Sequence, residues 1–328
     1  MAKVWIVVLT LITLYLSGQG AGAAAAPDRL VGLHSAQVMS QSMPWIAREA
    51  GLFQKYNLDF NLVFIPSSPV ATAATISGDA DIGVTGAVGN VRAIVQGNKD
   101  LVFIGGMKNF LTHSIMGKAD IKSPQDLRGK KVAVGRFGGN THYFVIQALK
   151  RFGMDAAKDI QTIQTGGGPE TVAALLGGTV DAAGLVAPGD FQVASQGFRY
   201  VVNGFDLKIP YAATCIVTLR SQINKRGPVI GRFMRAMAEA SNLMHNDRAL
   251  VYRVLGKYLR ITDTKVLDAA YNSEIAAIEH KLEIHDAALQ ASLDEIAPVD
   301  PRAKNIKTAD MIDRRYLVEL DKSGVFGK

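Results

Sequence analysis

The chain has 328 residues, of which 48% are hydrophobic, 20% charged and 7% aromatic. These proportions exclude a disordered, collagen-like or purely coiled-coil protein, and the length suits two domains or two lobes. The 36 Lys+Arg against 29 Asp+Glu leave a formal charge of +7, spread without a basic run, zinc spacing or RNA-binding aromatic signature. No nucleic-acid partner is therefore expected.

Residues 1–26 have the layout of a secretory signal. Lys3 precedes an apolar stretch over 4–16, and a small-residue run over 21–26 ends at Pro27. The apolar stretch is shorter than the roughly 20 residues needed to span a membrane. Cleavage is expected between Ala23 and Pro27, leaving a soluble, exported chain. The single cysteine, Cys215, excludes an internal disulfide framework and any CxxC site. It lies in an apolar run over 215–219 and is expected to be buried and inert.

After Pro27 the pattern alternates. Strands are expected over 30–34, 58–65, 82–84 and 101–104. Helices are expected from Pro44 to Gly51, from Pro69 to Gly78, and over 87–96 before Gly97. A second set follows: a short helix at Ser123-Pro124, strands over 131–135, 160–165, 180–185 and 200–202, and a helix over 140–152 closed by Gly153. From Ile223 the chain reads as mostly helical, with Phe233, Met237 and Met244 at helical spacing. This rhythm predicts an α/β fold built on mainly parallel sheets.

Residues 60–84 and 160–184 align without gaps at an offset of 100. Pro69 meets Pro169, Ala73 and Ala74 meet Ala173 and Ala174, Gly78 meets Gly178, and Asp81 meets Asp181. Two similar lobes sharing one crevice are implied.

Ligands of open parallel sheets sit at the carboxyl ends of the strands, where helix N-termini expose free N–H groups. The residues at those ends are Ser35, Gln41 and Ser42, then Ser67 and Ser68, then Thr85 and Gly86. The second set offers Arg136, Gly138, Gly139, Asn140, Thr141 and His142, then 166–168, then Val186, Ala187 and Pro188. Gly138-Gly139-Asn140-Thr141 is the sharpest of these, because glycine admits close backbone approach and Asn or Thr can cap a helix. Gly166-Gly167-Gly168 lacks the Lys and Ser/Thr of a Walker loop. His34, His113 and His142 have no metal spacing and are expected to be structural. Asp81 and Asp181 are expected to serve turns. The serines lack a His–Asp relay, so nucleophilic catalysis is not expected. Neither a metal nor a cofactor is expected. Trp45, Phe137 and Tyr143 fall near the expected mouth, as ligand contacts or as packing residues.

Four segments carry a family resemblance: MPWIAREAGLFQKYNLDFNLV (43–63), SGDADIGVTG (77–86), SPQDLRGKKVAVGRFGGNTHYFVIQALKRFGMD (123–155) and GGGPETVAALLGGTVDAAGLVAPG (166–189). Together they resemble the solute-binding proteins of ABC importers in the nitrate/sulfonate/taurine group. The resemblance implies a two-lobed type II periplasmic binding protein, with two hinge strands near 111–116 and 212–218. Lobe 1 would be 28–115 plus 217–328, and lobe 2 would be 116–216. The family's binding loops map onto Gln41, Ser42, Ser68, Thr85, Gly86, Gly139, Asn140, Thr141 and Pro188. The implied partners are a small-molecule ligand and a membrane permease with its ATPase. From the helix N-termini and the net positive charge the ligand is expected to be an organic or inorganic anion, with a neutral or aromatic solute as the alternative. The protein is expected to be a monomer and not an enzyme. The alternatives are a periplasmic sensor presenting its closed form to a membrane receptor, and a pyrimidine-synthase-like enzyme, whose cysteine cluster is missing here.

Overall fold

The computed structural model describes residues 26–327. The expected leader lies outside the described residues except for Ala26. The first sheet contains β1 (Asp28–His34), β2 (Leu58–Phe64), β3 (Ile82–Thr85) and β4 (Leu101–Leu111). The second contains β5 (Ser114–Gly117), β6 (Lys131–Val134), β7 (Gln161–Gln164), β8 (Ala182–Leu185) and β9 (Arg199–Asn203). A last strand, β10 (Ile209–Leu219), returns to the first sheet.

Strand order is β2-β1-β3-β10-β4 in one sheet and β7-β6-β8-β5-β9 in the other. Each sheet is parallel except for one strand, β10 or β5, which runs against its neighbours. The inner strands β3 and β8 are buried along their whole length, as strands covered on both faces must be. At the edge, β2 buries Leu58 and Phe60 and exposes Asp59 and Asn61.

The offset of 100 is structural. The Asp81 carboxylate accepts the Val31 N–H at 2.8 Å, and the Asp181 carboxylate accepts the Lys131 N–H at 3.0 Å. Each aspartate N–H in turn bonds the carbonyl of that same strand residue. Arg226 pairs with Asp81 at 3.0 Å and Lys118 with Asp181 at 2.8 Å. The two aspartates thus tie β3 to β1 and β8 to β6, rather than merely serving turns.

Helices Ser68–Ser77, Ala87–Val95, Asn140–Arg151, Gly168–Leu176 and Gly189–Ala194 connect the strands. The tail helix Arg220–Asn246 buries Phe233, Met237 and Met244 completely, with Phe233 ring-packed against Phe53 and Phe60. On the other face, Asp286–Ile296 buries Leu289 and Leu293 in a cluster with Phe103 and Val217.

The chain passes between the sheets twice. Thr112 and His113 link β4 to β5, and the short helix Gly204–Leu207 with Lys208 links β9 to β10. The first link falls within the range expected from sequence. The second does not: residues 212–218 lie inside β10, whose pairing with β4 begins at Ile209↔Leu111. The first half of β10, IPYAAT, is almost wholly buried, so it lacks the alternation that would mark a strand.

Candidate functional site

Three helix N-termini converge on a cleft between the sheets. They belong to Ser68–Ser77 after β2, Asn140–Arg151 after β6 and Gly168–Leu176 after β7. Each presents unpaired N–H groups and the positive end of a dipole. The cleft has a polar chamber of about 120 Å³ joined to a second chamber of about 240 Å³. They share Gln37, Val38, Gly135, Thr141, Gly168 and Val186.

The polar chamber is walled by Ser35, Gln41, Ser67, Ser68, Lys108, His113, Arg136, Gly139, Asn140 and Thr141, among others. Its titratable side chains are Lys108, His113 and Arg136, and among the described residues no carboxylate lines either chamber. Pro169, Val172, Leu185, Pro188, Leu259 and Ile261 line the second chamber together with Gln37, Thr141, Thr171 and Gln192.

Of the residues expected from sequence, Gln41, Ser68, Gly139, Asn140 and Thr141 line the polar chamber, and Thr141 and Pro188 line the second. Several of these brace the walls. The Gln41 amide oxygen accepts the N–H of Ser35 and of Ala36, both at 2.8 Å. Ser68 Oγ accepts the Gly86 N–H at 3.2 Å. Asn140 donates from Nδ2 to the Ala213 carbonyl at 2.7 Å, joining the second sheet's helix to β10 of the first. A Cβ on Gly86 would overlap Asn140 Oδ1, so the two sides of the cleft touch here.

Ser42, Thr85 and Gly86 line neither chamber. Ser42 turns its hydroxyl to the Met39 carbonyl at 2.8 Å, and Thr85 is fully buried in β3. The aromatic residues expected near the mouth divide. Trp45 stacks on Tyr258 and Tyr143 on Tyr211, both buried as packing residues, while Phe137 is exposed.

One backbone detail pairs the two halves. Ser67 has φ 121° and Gly166 has φ 117°, and their N–H groups bond the Ser35 and Gly135 carbonyls. Glycine adopts that conformation freely, whereas serine holds it under strain, a strain stored at the cleft wall.

Lys108, with its partners Thr112 and Glu274, escapes the sequence reading, and His113 enters it only as a structural residue. Lys108 sits with Asn109 in the otherwise apolar β4 and is 1% exposed. Its ammonium pairs with Glu274 at 2.5 Å and donates to Thr112, which also donates to Glu274. His113 lies on the first crossing; its Nδ1 is buried without a partner. Burial, then the nearby Lys108 charge, pushes its pKa down to about 3, so the ring is neutral. A lysine inside an apolar strand is the one available signal, since such a charge must be paired. His34 and His142 hold loops, as expected of structural histidines.

Asp190 lies behind this wall, buried in the second sheet's layer on a helix packed against Thr264–Glu274. Its Oδ1 accepts the Phe191 N–H at 2.9 Å. Burial, then the Glu274 charge, lifts its pKa from 3.8 to about 7. The folded state therefore binds this proton more tightly than the unfolded chain. The resulting stability is full below pH 3.8 and is lost as pH rises toward about 7. Asp190→Asn should flatten this part of the profile, gaining stability relative to the parent at about pH 8 and little at about pH 4. Urea unfolding at the two pH values checks it.

The unpartnered buried atoms His113 Nδ1, Arg136 Nε and Asn140 Oδ1 all belong to residues of the polar chamber. Arg136 forms no ion pair among the described residues. Among the described residues the chamber thus offers one free cation, a neutral imidazole and helix N-termini.

Two five-stranded sheets flanked by helices, crossed twice and enclosing a cleft, define the periplasmic binding protein fold. A family model described as NMT1/THI5 like matches residues 42–249, and the chain belongs to that family. The chain is similar to the taurine-binding periplasmic protein of Escherichia coli (strain K12), at 34% identity over 116 residues, 35% of each chain. A Brucella abortus (strain 2308) chain, named only as a candidate binding protein, is 24% identical over 247 residues, 74% of this chain and 75% of that one. Among solved structures, the alkanesulfonate-binding protein SsuA from Xanthomonas axonopodis pv. citri, bound to MOPS, superposes with a TM-score of 0.74. It is 21% identical and covers 89% of this chain and 100% of its own.

The fold alone does not separate binder from enzyme. The desulfurization enzyme DSZB superposes with a TM-score of 0.69 at 13% identity, over 90% of this chain and 99% of its own. In this chain Cys215 is fully buried, its thiol bonded to the Thr85 carbonyl at 3.0 Å and its pKa raised by burial. It lines neither chamber, so the cleft holds no thiol nucleophile.

Proposed function

We propose that this protein is the extracytoplasmic solute-binding component of an ABC importer. It takes a small organic anion bearing a short apolar group, with a sulfonate as the leading head group. The two lobes, 28–111 with 209–327 and 114–203, hinge at the crossings and close on the ligand. The closed form then docks on a membrane permease coupled to an ATPase. The observation that carries this reading is the unpaired Arg136 in a chamber bordered by three helix N-termini and free of carboxylates. The head group takes that chamber, and the apolar substituent extends toward Leu185, Leu259 and Ile261. Closure is selected because only the closed form makes both sets of contacts.

The test is a thermal-shift panel of sulfonates of rising chain length, nitrate, carboxylates, phosphonates and pyrimidines. A ligand at a hundredfold excess over its Kd adds ~2.7 kcal/mol of stability. Sulfonates with a few methylenes are expected to outperform nitrate, because each buried CH₂ contributes ~0.8 kcal/mol. Arg136→Ala should weaken binding by about 2 kcal/mol or more, the cost of losing a desolvated charge partner. A response to neutral solutes alone, unchanged in Arg136→Ala, overturns the reading.

A further inference from the structure

Among the described residues the cleft wall contains two cations, and one of them is cancelled. Lys108 is spent on Glu274 and Thr112, and all three side chains are almost wholly buried. His113 is neutral. Arg136 is left as the unpaired charge of the polar chamber. The Glu170 carboxylate, in the first turn of Gly168–Leu176, lies over Gly167 and is solvent-exposed, where water screens it. Asp190 stands behind Glu274 and can only add negative charge.

We propose that the Lys108–Glu274 pair makes this cleft selective for monoanions over dianions of the same shape. The proposal rests on the anion-binding reading above and names the charge class of its ligand. A monoanion beside Arg136 leaves the closed cleft neutral. A dianion leaves one negative charge desolvated in front of Glu274. The cost of desolvating an ion grows with the square of its charge, while a single cation repays it only in proportion to that charge. Hydrogen bonds from the helix N-termini serve both ligands and do not discriminate. Glu274 therefore sets specificity without touching the ligand, by holding the Lys108 charge out of the sum. Asp190 reinforces it as it ionises, and Tyr200 and the Phe191 N–H are its other partners.

The probes are butanesulfonate and butylphosphonate, which share a tail and differ in head-group charge above the second phosphonate pKa. Titration calorimetry on the purified protein should show the sulfonate binding about tenfold tighter or more at that pH. The gap should narrow when the pH is lowered and the phosphonate becomes a monoanion. Glu274→Gln, which frees the Lys108 charge, should bring the dianion within a few-fold of the sulfonate. Asp190→Asn, which lies outside both chambers, removes the reinforcing charge and should narrow the gap at the same pH, and an unchanged gap in it overturns the proposal. It guards against misfolding of Glu274→Gln, since it replaces a buried carboxyl by a neutral group of the same shape. Equal binding of both probes in the parent protein overturns the proposal while leaving the anion-binding reading intact. So does a folded Glu274→Gln protein with an unchanged preference. Failure of both probes to bind at any pH overturns the anion-binding reading and this inference with it.

Discussion

Lys108→Met is expected to destabilise the protein by about 3–5 kcal/mol, the usual cost of stranding one member of a buried ion pair. The ammonium is 1% exposed, and its partner Glu274 is equally buried. Methionine fills much of the lysine stem's volume, so the loss is electrostatic rather than a cavity. Once the lysine is gone, Thr112 is the remaining hydrogen-bond donor to the Glu274 carboxylate among the described residues. Asp190 makes matters worse, because its charge already opposes that of Glu274. The deficit should be largest where Asp190 is ionised and should shrink as acidification protonates it. Urea unfolding across pH measures it. A loss under about 1 kcal/mol at alkaline pH would mean that the pair contributes little.

Gly204→Ala is expected to cost about 3 kcal/mol and to weaken ligand binding as well. Gly204 starts the second crossing, and its Cα lies against the backbone of His113 in the first. A Cβ there would overlap the His113 carbonyl oxygen and crowd its N–H and the Phe144 ring. The obstacle is backbone, so no rotamer change relieves it. The two crossings must separate by about a methyl radius, which displaces His113 at the cleft wall. A parent-like melting temperature together with parent-like affinity would show that the crossings are not held in contact in solution.

Much of the fold was legible because it depends on local signals. Pro69 and Pro169 open helices, Gly78 and Gly178 end strand-bound turns with positive φ, and Asp81 and Asp181 recur at one spacing because both bond a central strand. The loop residues at strand ends were legible for the same reason, and Asn140 and Thr141 do face the cleft. What escaped depends on distant partners. Glu274 comes 166 residues after Lys108, and no local pattern announces that pairing. Thr85 and Ser42 occupy the right loops, but their neighbours turn them inward. The start of β10 was hidden because burial on both faces erased its alternation.

The exchange of strands between the sheets also orders the folding of the chain. β10 lies between β3 and β4 in the first sheet, yet it is made only after the whole second sheet has been synthesised. Until then the first sheet lacks an inner strand, and β4 has no neighbour in its own sheet. The second sheet needs only β5–β9, which are contiguous in sequence, so it can assemble first with lower contact order. Completing the first sheet must then wait for closure of a loop of about 100 residues, at an entropic cost that the finished second lobe reduces by bringing the loop's ends together. The slow step in refolding should thus be the insertion of β10, with the exposed edges of β3 and β4 as the aggregation-prone surface in the interval.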